Sequence, residues 1–89
     1  MATVIFTPNV QRHVGCPQAQ AGGRTVREVL DHVFAESAQV KSYVLDDQSG
    51  LRKHITIFVD GRMIADRARL SDAVGETSTV YVFQALSGG

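Results

Sequence analysis

Residues 25 to 34 write a single amphipathic helix, and the helix decides what the rest of the chain can become. Thr25 followed three residues later by Glu28 is a capping box, in which each side chain serves a backbone N–H of the first turn. Val26, Val29, Leu30, Val33 and Phe34 then fall at i, i+3, i+4, i+7 and i+8, one continuous apolar stripe. Arg27 and Asp31 are spaced to pair on the solvent side. The stripe is a core face and asks for no ligand. One long helix covers only one face of a sheet, so the other face has no layer in this chain to hide it.

The flanking segments read as strands. Thr3 to Thr7, TVIFT, is short, β-branched and stopped by Pro8. Cys16 to Ala21 is a weak second strand, ended by Gly22-Gly23; Pro17 suits an edge better than a central place. Residues 38 to 45 carry Val40, Tyr43, Val44 and Leu45 and read as a short turn or helix under the sheet. Asp46 to Gly50 is a loop. His54 to Ile64 reads as a strand, a tight turn at Asp60-Gly61 and a short return strand. Leu70 to Gly75 reads as a helical turn, and Ser78 to Ala85 as the last strand. The predicted class is α+β. The first and last strands, rich in Val, Ile and Phe, belong in the centre of a mixed sheet, side by side and parallel, packed on one long helix. That is a ubiquitin-like β-grasp spanning residues 1–89 as one domain, with a flexible tail at 84–89.

Composition narrows the roles. Lys plus Arg and Asp plus Glu balance at nine each, which argues against a nucleic-acid binder that relies on a basic field. Cys16 is the only cysteine, so no disulfide framework is available and a reducing, cytoplasmic setting is expected. The opening residues fit neither a signal peptide nor a membrane span. A monomer is expected, with partners met through local patches.

Alternation along the strands sorts the side chains by face. Ile55, Ile57 and Val59 share one face of the middle strand, and Val80 and Val82 one face of the last. The helix needs these aliphatic sets. Phe58, Tyr81 and Phe83 are then left on the far side, where exposed aromatics on a small protein mark a partner surface. The competing expectation is that the 46–53 loop covers them.

The sequence ends in Gln84-Ala85-Leu86-Ser87-Gly88-Gly89. Extended, this stretch reaches roughly 20 Å, enough to enter a deep pocket of another protein. Gly88 and Gly89 lack a Cβ, so a narrow channel can grip both peptides.

Taken together, the opening VIFTPNVQRHV, the GGRTVREVLDHVF helix, the HITIFVDG strand and turn, and a final aromatic strand followed by Gly-Gly resemble the ubiquitin-like sulfur carriers of the MoaD/ThiS type. The resemblance runs the full length. The LDDQSGLRKH loop makes the chain similar to the longer carriers of the cysteine and siderophore type. Gln84 and Ala85 stand where many MoaD-like tails carry prolines, a departure from the molybdopterin branch.

The resemblance implies a two-step activation. An E1-like adenylating enzyme transfers AMP from ATP to the Gly89 carboxylate, and sulfur from a donor displaces AMP to leave a thiocarboxylate. A sulfur-accepting biosynthetic enzyme then uses it. Gly88 and Gly89 are the expected working terminus, and Phe58, Tyr81, Phe83 and Leu86 the expected docking residues. The chain offers no P-loop, and no bound cofactor, metal, nucleic acid or membrane is expected. It is read as a substrate and carrier, not an enzyme. A protein modifier joined through Gly89 to lysines, and a passive β-grasp interaction module, are the alternatives.

Other residues carry bland readings. Cys16 has no evident activating neighbour. His13, His32 and His54 lack metal spacing, and His32 belongs on the exposed flank of the helix. Arg52, Lys53 and His54 form a solvated strand start, and Asp60-Gly61 is turn chemistry.

Overall fold

The computed structural model describes residues 1–8, 10, 15 and 18–84 of the 89-residue chain. Its strands are β1 (Ala2–Phe6), β2 (Gln18–Ala21), β3 (Ile55–Val59), β4 (Arg62–Met63) and β5 (Thr79–Gln84). Its helices are α1 (Val26–Glu36) and α2 (Ala38–Val44). The strands form one five-stranded sheet in the order β2-β1-β5-β3-β4. β1 and β5 pair in parallel at its centre, with Val4 opposite Val80 and Phe6 opposite Val82. The other pairings are antiparallel. This is the ubiquitin-like β-grasp expected from the order of elements, with the weak β2 at an edge.

The core sits between the sheet and the helices. Val26, Val29, Leu30, Val33 and Phe34 of α1 are buried, the whole predicted stripe. They meet Val4, Phe6, Ile55, Ile57, Val80 and Val82 from the inner face of the sheet. Residues 38–44 are helical, so a second, shorter helix adds Val40 and Val44 to that core.

The start of α1 shows why the chain turns there. The Glu28 N–H donates to Thr25 Oγ1 at 3.2 Å. The Glu28 carboxylate accepts from the Arg24 N–H at 3.1 Å, one residue before the cap, so the box closes one position early. Gly23 precedes it at φ 152°, and a Cβ there would lie 2.8 Å from both Glu28 Cβ and the Val29 nitrogen. Only glycine fits that approach.

Two local expectations are corrected. Leu70 to Gly75 is not a helical turn. The Val26 and Arg27 N–H groups donate to the carbonyls of Asp72 and Leu70, at 3.0 and 2.9 Å. These are first-turn donors that a helix leaves unpaired. Carbonyls pointed at α1 are lost to any helix of their own, and Leu70 sits at φ 59°. Arg27 does not pair with Asp31. Its guanidinium donates to the carbonyls of Ser49, Ala68 and Arg69, at 2.7, 3.4 and 3.2 Å, tying the 46–53 loop to the following turn. Peptide carbonyls in fixed positions outcompete a solvated helix pair worth a few tenths of a kcal/mol.

Candidate functional site

The outward side of the sheet follows from the strand register. Directly paired residues project to the same face. Phe58 pairs with Tyr81, Thr56 with Phe83, Tyr81 with Ile5, and Phe58 with Met63. An apolar row, Ile5–Tyr81–Phe58–Met63, therefore crosses four strands, with Phe83 beside it. The rings touch. Phe58 and Phe83 lie 5.2 Å apart between centroids in an edge-to-face arrangement, and Tyr81 and Phe83 lie 6.0 Å apart, tilted. Both distances fall within the favourable range for aromatic pairs.

The faces separate as alternation requires. Ile55, Ile57, Val80 and Val82 are buried, while Phe58 and Phe83 are half-buried. Tyr81 is 37% exposed and Met63 is 62% exposed. Val59, assigned with the aliphatic set, is half-buried against the core. The 46–53 loop does not cover the rings. Asp46 Oδ1 folds it back by accepting from the Gln48 and Gly50 N–H groups, and Leu51 donates to the Arg67 carbonyl. Leu45 and Leu51 bridge and enter the core, which holds the loop on the helix side.

Ile5 and Met63 belong to this face and were missed in the sequence. Ile5 was legible, because Val4 and Phe6 point inward on either side of it. Met63 was not, since its place depends on pairing with Phe58 across a two-residue turn. Next to Phe83, Thr56 holds a buried hydroxyl that has no hydrogen-bond partner among the described residues.

The same strand that carries Tyr81 and Phe83 leads into the tail. Gln84, which the sequence reading puts both in the last strand and at the start of the tail, is the last residue of β5 and pairs with Ile55 of β3. The Tyr43 hydroxyl of α2 donates to Gln84 Oε1. The Tyr43 ring stands edge-on to His54, with centroids 5.8 Å apart. On the other side, Thr7 just beyond β1 donates its N–H and its hydroxyl to the Val82 carbonyl, at 3.1 and 3.3 Å. Leu86, Gly88 and Gly89 lie outside the described residues, as do Cys16 and His13.

The turn beside this face is tied down by Asp60. Its carboxylate accepts from the Ser78 hydroxyl at 2.7 Å and from the Thr79 N–H at 2.9 Å. These two bonds hold its pKa below the ordinary 3.8, with Arg62 adding a smaller favourable charge. Asp60-Gly61 is thus turn chemistry that also fastens β5 to the hairpin. Asp66 is held low in the same way, chiefly by the Ser71 hydroxyl and the Arg69 N–H.

The remaining candidates stay structural. His32 is exposed and its Nδ1 meets the Gly22 carbonyl. The Arg52 Nε donates to the Ser42 carbonyl at 2.9 Å. Among the described residues no group of His, Cys, Asp and Glu is placed to hold a metal ion. Among them no helix is long and apolar enough to cross a membrane.

Solved structures share this fold over the whole chain. A chain of the Amycolatopsis orientalis BexX/CysO complex superposes with a TM-score of 0.83 at 24% identity, covering 100% of both chains. CysO of Mycobacterium tuberculosis gives 0.81 at 20% identity, covering 97% of this chain and 100% of that one. SAMP1 of Haloferax volcanii gives 0.78 at 22% identity, covering 99% and 98%. The match in length to CysO agrees with the resemblance to the longer carriers. A sequence comparison with curated proteins returned no match. The model of the ThiS family matches residues 13–89, and the chain belongs to that family.

Proposed function

We propose that this chain is a sulfur carrier that works through the Gly89 carboxylate. The observation that carries the reading is that β5 holds two of the three rings of the aromatic face, Tyr81 and Phe83, and leads in sequence to the Gly-Gly segment. A partner that grips Phe58, Tyr81 and Phe83 has the tail within reach, since Ala85 to Gly89 spans roughly 17 Å when extended. Leu86 would add an apolar contact on the way in. Membership of the ThiS family supports a ubiquitin-like carrier or modifier.

The chemistry follows from the carboxylate. Its oxide is a poor leaving group, so the carbonyl carbon resists attack. An E1-like partner would let a Gly89 oxygen attack the α-phosphorus of ATP, releasing pyrophosphate and forming an acyl-adenylate. Sulfide supplied by a donor then adds at the carbonyl carbon and AMP leaves with the bonding electrons, giving the thiocarboxylate and a proton. Charge stabilisation for the transfer comes from cations or Mg²⁺ in the partner. ATP is consumed there, and this chain acts as substrate and carrier, with no catalytic residue of its own. The lone cysteine suits a reducing cytoplasm.

Deleting Gly88 and Gly89 tests the reading. The shortened chain is expected to fold and to bind the activating enzyme through its aromatic face, but not to be adenylated. Unchanged cellular function of that variant would leave a passive interaction module instead. A protein-modifier role has one observation behind it. SAMP1 of H. volcanii, which a second solved structure describes as small archaeal modifier protein 1, shares the fold. Lysine-linked conjugates in cells would favour it, because both routes share the adenylate and differ in what attacks it.

A further inference from the structure

We infer that Tyr43 is a positioning residue that fixes the root of the tail. The inference rests on the carrier reading and adds a residue that neither strand alternation nor the Gly-Gly segment points to. Tyr43 lies in α2 and reaches the last residue of the sheet, where its hydroxyl donates to Gln84 Oε1. The two residues are 41 apart in sequence, and both are partly buried. The His54 ring stands edge-on to the Tyr43 ring and limits where the phenol can swing. Backbone pairing of Gln84 with Ile55 fixes the other side. The end of β5 is therefore gripped through its backbone by β3 and through its side chain by α2.

Such a clamp holds the last residue of β5 in the sheet. Without it, the end of β5 frays and Gln84 is released from the sheet. A partner that draws the tail into a narrow channel must then order Gln84 on binding. Ordering a residue beforehand removes that cost from the encounter. Once the tail is seated, the geometry at Gly89 is the same with or without the clamp. The effect belongs in KM and leaves kcat alone.

The test uses the full chain with an activating enzyme that adenylates the wild type, and the variants Tyr43→Phe, Gln84→Leu, Gln84→Glu and the Tyr43→Phe/Gln84→Leu double. Tyr43→Phe and Gln84→Leu are each expected to raise KM by up to about 10-fold, the scale of ordering one backbone residue. The double variant should lose less than the sum of the two singles, since the Tyr43–Gln84 bond is removed by both. Gln84→Glu keeps an acceptor oxygen and should keep the wild-type KM. Amide exchange at Phe83 and Gln84 should quicken in Tyr43→Phe, while exchange in α1 stays the same.

Unchanged KM in both single variants would overturn the inference. So would additive losses in the double variant, a fall in kcat at constant KM, or unchanged exchange at Gln84. An inert wild-type chain overturns the carrier reading and this inference with it. That case is told apart from a failed clamp because a failed clamp leaves the wild type active.

Discussion

Phe58 and Phe83 meet edge to face on the outer side of the sheet, with centroids 5.2 Å apart and ring planes at 62°. Their neighbours along the same two strands, Ile57 and Val82, are fully buried on the inner side. The contact joins β3 to β5 on the side the helices leave open, one residue before the strand that carries it ends at Gln84.

Replacing Phe83 with Ala should therefore separate binding from folding. Loss of one ring from the outer cluster is expected to cost about 1 kcal/mol of stability. Affinity for the activating partner should fall by about 2 kcal/mol, as for a central aromatic anchor. Titration calorimetry beside thermal unfolding reads both. A variant that unfolds would place Phe83 in the core.

Gly23 makes the opposite kind of prediction. Gly23→Ala puts a Cβ against the first turn of α1, 2.8 Å from Glu28 Cβ and the Val29 nitrogen, at φ 152°. A loss of about 1–3 kcal/mol is expected in the denaturant midpoint, the usual cost of a forced backbone conformation. A neutral substitution would mean that the turn into α1 relaxes freely.

Asp60 ties stability to pH. Its carboxylate has the Ser78 and Thr79 partners only in the folded chain, so its pKa there lies below the ordinary 3.8. The bonds favour folding fully above that ordinary value, and the gain is lost as pH falls through the lowered one. Asp60→Asn keeps the φ 50° backbone conformation that Asn tolerates. The wild type should be the more stable protein at neutral pH, and the gap should narrow below about pH 4. A gap of constant size across that range, in urea melts, would contradict the assignment.

Much of this was readable in advance, for identifiable reasons. The α1 stripe and its cap were legible because both depend on spacings of three and four residues. The outward rings were legible because alternation forces Phe58, Tyr81 and Phe83 away from Ile57, Val80 and Val82. What failed depended on distant pairings. Nothing near Leu70 says that its carbonyl will accept from Arg27. Nothing in the helix says that the Arg27 guanidinium will prefer Ser49 and Ala68 over Asp31. Met63 joined the apolar row through its register with Phe58, and Tyr43 found Gln84 only once α2 was laid beside the end of β5.

The reach of the tail yields a further expectation. One residue added after Gly89 moves the carboxylate past the adenylation site and should abolish activation while binding through the rings persists. Pyrophosphate release measured on the extended chain, with no trimming, decides it. Full activity would mean that the partner does not measure the length of the tail.

Conversion of the Gly89 carboxylate to a thiocarboxylate can be read by intact mass spectrometry. The protein is incubated with ATP, sulfide and a cognate E1-like enzyme. The expected mass change is that of one oxygen replaced by sulfur, mapped by fragmentation to Gly89. An unchanged mass, with the same enzyme active on another carrier, would contradict the carrier reading.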